Sequence, residues 1–175
     1  MGNVILGLLL LGPSTLYSLK KQFESGVSLF YSASLGSLGT ALSTLLAKDL
    51  VEVADSVENG RSKKTYTVTA RGRAAFIEWM VEPITQRDLE TVALSKLYFF
   101  GSLGHDERTL AQRRIEERLR ADEAELVEVA QYLDGMEVAE EHRGILFYRR
   151  QVLEYGLRSH ALARAFFAQL PEAQG

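Results

Sequence analysis

Residues 4–12, VILGLLLLG, carry no polar side chain, so the pattern predicts a first helix buried on most of its sides. Gly12-Pro13 ends it, because proline cannot continue a helix and disfavours helical geometry in the residue before it. Ser14 or Thr15 then caps a second helix reaching about Glu24, with Leu16, Leu19 and Phe23 on its inner side. SGVS at 25–28 reads as a loop. A third helix is predicted from Ser34 to Lys48, where Leu35, Leu38, Leu42 and Leu45 fall on one stripe.

The opposite side of that third helix presents Ser37, Thr40, Ser43, Thr44 and Ala47. A solvated face ordinarily carries Glu and Lys, whereas these side chains are small, uncharged and able to approach another surface closely. LVEVADSV at 50–57 alternates apolar and polar residues, as a half-buried strand does, and KTYTVT at 64–69 alternates likewise with Tyr66 and Val68 on one face. Between them Asn59-Gly60 is a strong hairpin signal, since both residues accept positive φ. Thr69 caps a further helix, ARGRAAFIEWMVEPI, broken at Pro83. Three helices, a two-stranded hairpin and a closing helix make a winged helix-turn-helix over residues 1–84. Arg61, Lys63 and Lys64 crowd at the hairpin tip, where a wing would meet a phosphate backbone of double-stranded DNA. The third helix would lie in the major groove, with Ser37, Thr40 and Thr44 reaching base edges and thymine methyls. A basic turn alone is often only a soluble turn; here it stands at the right separation from a small-residue helix.

Residues 85–175 read as all helical, giving a mainly α fold class overall with the hairpin wing as its β part. Asp88 can cap a helix through about Phe100, GSLGH breaks the pattern, and Asp106 caps a long helix to about Asp134. Along it Ile115, Leu119, Leu126, Val129 and Leu133 form a heptad seam interrupted by Asp122. A last helix, from about Arg143 to Leu170, is apolar nearly all round and must be covered on more than one side. This surplus apolar surface suits a homodimer, with the seam as dimerisation residues and the first helix as a further contributor; the bland alternative is packing within one chain. Two-fold symmetry would double the DNA contacts and set the half-site spacing.

Composition narrows the function. The formal net charge is -3, but it is divided: residues 1–84 hold eight Lys/Arg and seven Asp/Glu, residues 85–175 twelve and sixteen. There is no cysteine, so disulfides, thiolate nucleophiles and cysteine-based zinc sites are excluded. The longest apolar run is too short to span a membrane, and it lacks the flanks of a signal peptide, so a cytoplasmic protein without a membrane partner is expected. No phosphate-cradling loop, nucleophile elbow or metal-ligand spacing is present, and the three histidines at 105, 142 and 160 are far apart. An enzyme, a cofactor and a metal are therefore not expected.

The segments ILGLLLLGPSTLYSLKKQFE (5–24), SLGSLGTALSTLLAKDLVEV (34–53), NGRSKKTYTVTARGRAAF (59–76) and WMVEP (79–83) resemble the PadR family of transcriptional regulators. The second half resembles, in outline, the helical dimerisation domain of the longer PadR-type proteins. The resemblance implies a homodimeric repressor on a dyad-symmetric operator, with Arg61, Lys63 and Lys64 on phosphates and Ser37 and Thr40 facing the groove. Tyr17 matches a family position that packs and can touch the DNA backbone, although its residue type alone favours packing. The family's habit of releasing DNA on binding an aromatic small-molecule effector implies a pocket, for which Tyr98, Phe99, Tyr148 and Tyr155 are candidates. Three positions depart from the family pattern: Gly39 stands where a tyrosine is usual, Asp49 where glycine is usual, and Thr15-Leu16 where a histidine-glycine pair is common. The weakly charged third helix leaves a second reading, a winged-helix protein-interaction module without sequence-specific DNA binding.

Overall fold

The computed structural model describes residues 1–58 and 61–171; the predicted Asn59-Gly60 turn lies outside them. The chain forms two compact units, Met1–Ala111 and Gln112–Gly175. No helix among the described residues is long and apolar enough to cross a membrane.

In the first unit, helix α1 (Gly2–Leu10) buries Val4, Ile5, Leu6, Leu8 and Leu9. Each such side chain contributes on the order of 1.5–3 kcal/mol when removed from water. The expectation that this helix joins an intersubunit surface is thereby corrected: its apolar sides are already covered within the chain. The chain turns at Gly12 (φ 149) and Pro13, and Thr15 rather than Ser14 caps α2 (Leu16–Ser25) by accepting from the Ser18 N–H at 3.1 Å. Ser14 has other work, exchanging two backbone hydrogen bonds with Tyr66, at 3.0 and 2.9 Å.

Helix α3 (Leu35–Ala47) starts in a capping box, with the Ser34 side chain accepting from the Ser37 N–H and the Ser37 hydroxyl oxygen accepting from the Ser34 N–H. Leu38, Leu42 and Leu45 are buried as the stripe requires. Leu35 is exposed, because it occupies the first helical position, ahead of the stretch that meets the core. The helix ends in a Schellman motif, in which the Asp49 N–H donates to Leu46 O and the Leu50 N–H to Leu45 O, each at 3.0 Å. The motif places Asp49 at φ 55, in the left-handed region, which explains why glycine suits this position. An acidic side chain beside the helix C-terminus also opposes the helix dipole. Asp49→Gly is expected to raise stability by up to about 1 kcal/mol, read as a higher denaturation midpoint. A lowered midpoint would mean that the exposed Arg71–Asp49 pair at 3.7 Å outweighs the backbone strain.

Strands β1 (Val51–Glu58) and β2 (Arg61–Val68) pair antiparallel in a continuous register from Val51–Val68 to Glu58–Arg61. Thr69 then caps α4 (Ala70–Val81), its oxygen accepting from the Gly72 N–H at 3.0 Å while its hydroxyl donates to Asp49 O at 2.8 Å. The end of α3 and the start of α4 are thus one hydrogen-bonded junction. Asp88 caps α5 (Leu89–Tyr98) by accepting from the Thr91 N–H. Packing carries the first unit past residue 84, where a boundary was expected. Phe99 meets Phe76 edge-on at 5.5 Å, and Lys96, almost fully buried, donates to Glu82 O at 2.8 Å beneath the Trp79 ring.

Helix α6 (His105–Asp134) runs through both units. It begins at His105, so the expected Asp106 cap is corrected. Gly104 O accepts the Arg108 N–H and the Glu107 carboxylate accepts the Gly104 N–H, leaving Asp106 inside the first turn. In the second unit α6 is tied to α7 (Arg143–Ala168) by Arg150–Asp134 and Arg164–Glu123 ion pairs, both 2.7 Å, and by Gln112 donating to Phe167 O at 2.7 Å. Within the single chain α7 is covered along one side only. Phe167 alone of its described residues is buried, while Tyr148, Val152, Tyr155 and Leu162 are 70–76% exposed. A single facing helix cannot enclose apolar residues distributed around the whole circumference.

Candidate nucleic-acid interface

The outer face of α3 is built by hydroxyls that bond their own helix. Thr40 donates to Gly36 O, Ser43 to Gly39 O and Thr44 to Thr40 O, at 3.0–3.1 Å. With their protons directed to backbone carbonyls, these side chains turn oxygen lone pairs and threonine methyls outward. Thr40, Ser43 and Thr44 are exposed, so the face has the chemistry to accept from base amino groups and to touch thymine methyls. Ser37 is half-buried and occupied in the capping box, so it serves the helix start first. Gly39 leaves this face open, since a Cβ there would have only Leu16 within reach, at 3.9 Å.

The wing differs from a simple basic tip. Consecutive strand residues point to opposite faces, so Lys63 and Lys64, both exposed, leave the hairpin in opposite directions. The register sets Asp55 across from Lys64 and Ser56 across from Lys63. The backbone of Arg61 pairs with Glu58, while the Arg61 side chain lies outside what the structure describes. The alternation of β1 carried this information, because the hairpin register predicts which acid faces which lysine. Tyr17 is 66% exposed, which corrects the packing role favoured by its residue type. Lys21 lies over its ring at 5.2 Å, forming an exposed cation–aromatic pair on α2 that the sequence pattern did not single out.

The remaining candidates fall in separate surroundings. Ile115 and Leu119 of the heptad seam are buried within the chain, Leu126 and Leu133 are half-buried, and Val129 is exposed. Tyr98 lines a recess of the first unit, Phe99 stands in that unit's core, and Tyr148 and Tyr155 are exposed on α7 of the second. A recess of about 350 Å³ at the α6–α7 turn, lined in part by Met136, His142 and Arg149, includes neither tyrosine. Among the described residues no cluster of His, Asp or Glu could hold a metal ion.

Helices α1 to α3, the β1–β2 wing and α4 define a winged helix-turn-helix, followed by a helical C-terminal region. Residues 5–78 match the model of the transcriptional regulator PadR-like family, so the chain contains a PadR-like domain over this stretch. Among solved structures, Bacillus subtilis PadR in complex with operator DNA is 22% identical over 95% of this chain and 94% of its own, with a TM-score of 0.45. The PadR-like transcriptional regulator BC1756 from Bacillus cereus is 21% identical over 96% and 93%, with a TM-score of 0.41. Bacillus subtilis PadR in complex with p-coumaric acid is 19% identical over 97% and 96%, with a TM-score of 0.40. No curated protein matches the chain.

Proposed function

We propose that this protein is a PadR-like transcriptional repressor that binds a dyad-symmetric operator as a homodimer. The observation that carries the reading is the exposed hydroxyl-and-methyl face of α3, set within a PadR-like domain. In the mechanism, Thr40 and Thr44 read base edges in the major groove. Lys63 and Lys64, with Arg61, anchor the wing to phosphate, and Tyr17 with Lys21 meets the DNA backbone. The uncovered apolar residues of α7, together with Leu126, Val129 and Leu133, support a helical homodimer contact. Release by an aromatic effector completes the cycle, provided the effector binds the DNA-competent and incompetent arrangements unequally.

The test is selection of bound sequences from a random DNA pool at two salt concentrations. A palindromic motif with salt-sensitive affinity is expected. Neutralising Lys63 and Lys64 together should weaken binding to all sequences and reduce the log–log salt slope by about 2. Because the two lysines leave opposite faces, the single variants separate their contributions. An unchanged slope would remove the wing from the interface. Asp55 of β1, across from Lys64, offsets one of the wing cations and favours a second reading, a protein-interaction module. Absence of any enriched motif at either salt would select it.

A further inference from the structure

Helix α2 carries two adjacent lysines that do different work. Lys21 is exposed and lies over the Tyr17 ring. Lys20, about 100° away around the helix, is partly buried and turns toward the connection between α2 and α3. Its Nζ donates to Ala33 O at 3.0 Å and pairs with Glu24 Oε1, one turn further along α2, also at 3.0 Å. Ala33 immediately precedes Ser34, the N-cap of α3. The connection itself is held unevenly. In its first part Val27 is buried, Tyr31 meets Phe23 edge-on with ring centroids 6.3 Å apart, and Phe30 lies against Tyr98 at 5.9 Å. The backbone also closes on itself there, the Phe30 and Tyr31 N–H groups both donating to Val27 O, at 3.1 and 2.8 Å. Ser32 and Ala33 are not buried and enter no backbone–backbone hydrogen bond among the described residues. The last step into α3 is tied by Lys20.

The tie matters because of what α3 has to do. Leu19 and Phe23 of α2 and Leu38, Leu42 and Leu45 of α3 are all buried, but the attraction that buries them is non-directional. A charge-assisted hydrogen bond fixes both distance and direction. A side chain that reads a base edge must stand within hydrogen-bond reach of it, so a shift of about 1 Å at the start of α3 is enough to lose the contact. Glu24 balances the ammonium, so the charge of Lys20 is spent within the chain and is not offered to a phosphate. We infer that Lys20 is a positioning residue for sequence reading: by holding Ala33 it keeps the start of α3 where Thr40 and Thr44 meet the bases. This role rests on α3 being the helix that reads DNA.

Lys20→Met removes the ammonium and keeps an unbranched apolar stem. The full natural chain first selects a duplex from a random double-stranded DNA pool. Natural chain and variant are then titrated, at several salt concentrations, with that duplex and with a scrambled one of the same composition. The variant should lose about tenfold of its preference for the selected duplex, as expected when one charge-assisted hydrogen bond no longer holds α3 in its competent place. Its affinity for the scrambled duplex and its salt slope should not change. Lys20→Arg, which can still donate to both Ala33 O and Glu24, should keep the preference. A salt slope lower by about 1, with both duplexes weakened alike, would make Lys20 a phosphate contact and overturn the role. A lower denaturation midpoint with the preference intact would overturn it too, leaving Lys20 a purely structural residue. Should Lys20→Met fail to fold, Lys20→Gln, polar but too short to bridge the two oxygens, carries the same expectations. If the natural chain selects no sequence, the DNA reading falls and this role with it; if chain and variant prefer the selected duplex equally, only this role falls.

Discussion

Replacing Gly72 with alanine is expected to destabilise the protein by about 3 kcal/mol, more than most single methyl additions. A Cβ at this position would overlap the Leu50 carbonyl oxygen and stand 2.9 Å from both the Leu50 carbonyl carbon and Val68 Cγ2. The nearest atoms belong to backbone, which cannot rotate away as a side-chain end can. Relief requires the first turn of α4 to withdraw, and that stretches the Gly72 N–H bond to Thr69 and the Thr69 bond to Asp49 O. The cost therefore falls on the junction that joins the end of α3 to the base of the wing. Chemical denaturation with an unchanged m value would measure it. A loss below about 0.5 kcal/mol, the ordinary scale of a surface change, would mean that the junction yields freely.

Phe99→Ala should cost about 3–5 kcal/mol, the range for emptying a large buried aromatic site. Phe99 is 2% exposed and meets Phe76 edge-on, while the ring atoms of both crowd Gly7 of α1. The effect should couple to Phe76→Ala by about 0.5–1.5 kcal/mol in a double-mutant cycle, as edge-to-face pairs do. A ligand-lining residue would behave differently, losing binding while leaving the denaturation midpoint nearly unchanged. If stability held in Phe99→Ala, the aromatic core beyond residue 84 would be wrongly assigned. If the two substitutions simply added, the Phe76–Phe99 contact would carry no energy of its own.

Much of the winged unit was legible because its signals are local. Thr15, Ser34, Thr69 and Asp88 cap the helices they precede, and the alternation of residues 50–57 and 64–69 falls on the observed strands, although the second of these begins earlier, at Arg61. Asp49 was legible only as an oddity; its positive φ comes from the Schellman ending of α3, which sequence alone does not display. The lysines of the wing read as one cluster because neighbours along a chain are easily mistaken for neighbours on a face. A period of two sends them apart. The long C-terminal helices were found from their periodicity, but periodicity does not say what covers an apolar face. Hence Ile115 and Tyr155, both apolar positions of long helices, proved to be buried and exposed respectively.

The pair of hydrogen bonds between Ser14 and Tyr66 orders events along the folding path. A two-stranded hairpin is marginal alone in water, and β2 gains a second partner only when the turn after α1 reaches it. That meeting closes a loop containing all of α2, α3 and β1, so its entropic cost falls due before its reward. Helices α2 and α3 can form from local contacts, but the wing becomes durable only once the chain has brought its beginning back to its middle. The wing of this protein thus owes its lasting shape to a contact between distant parts of the chain.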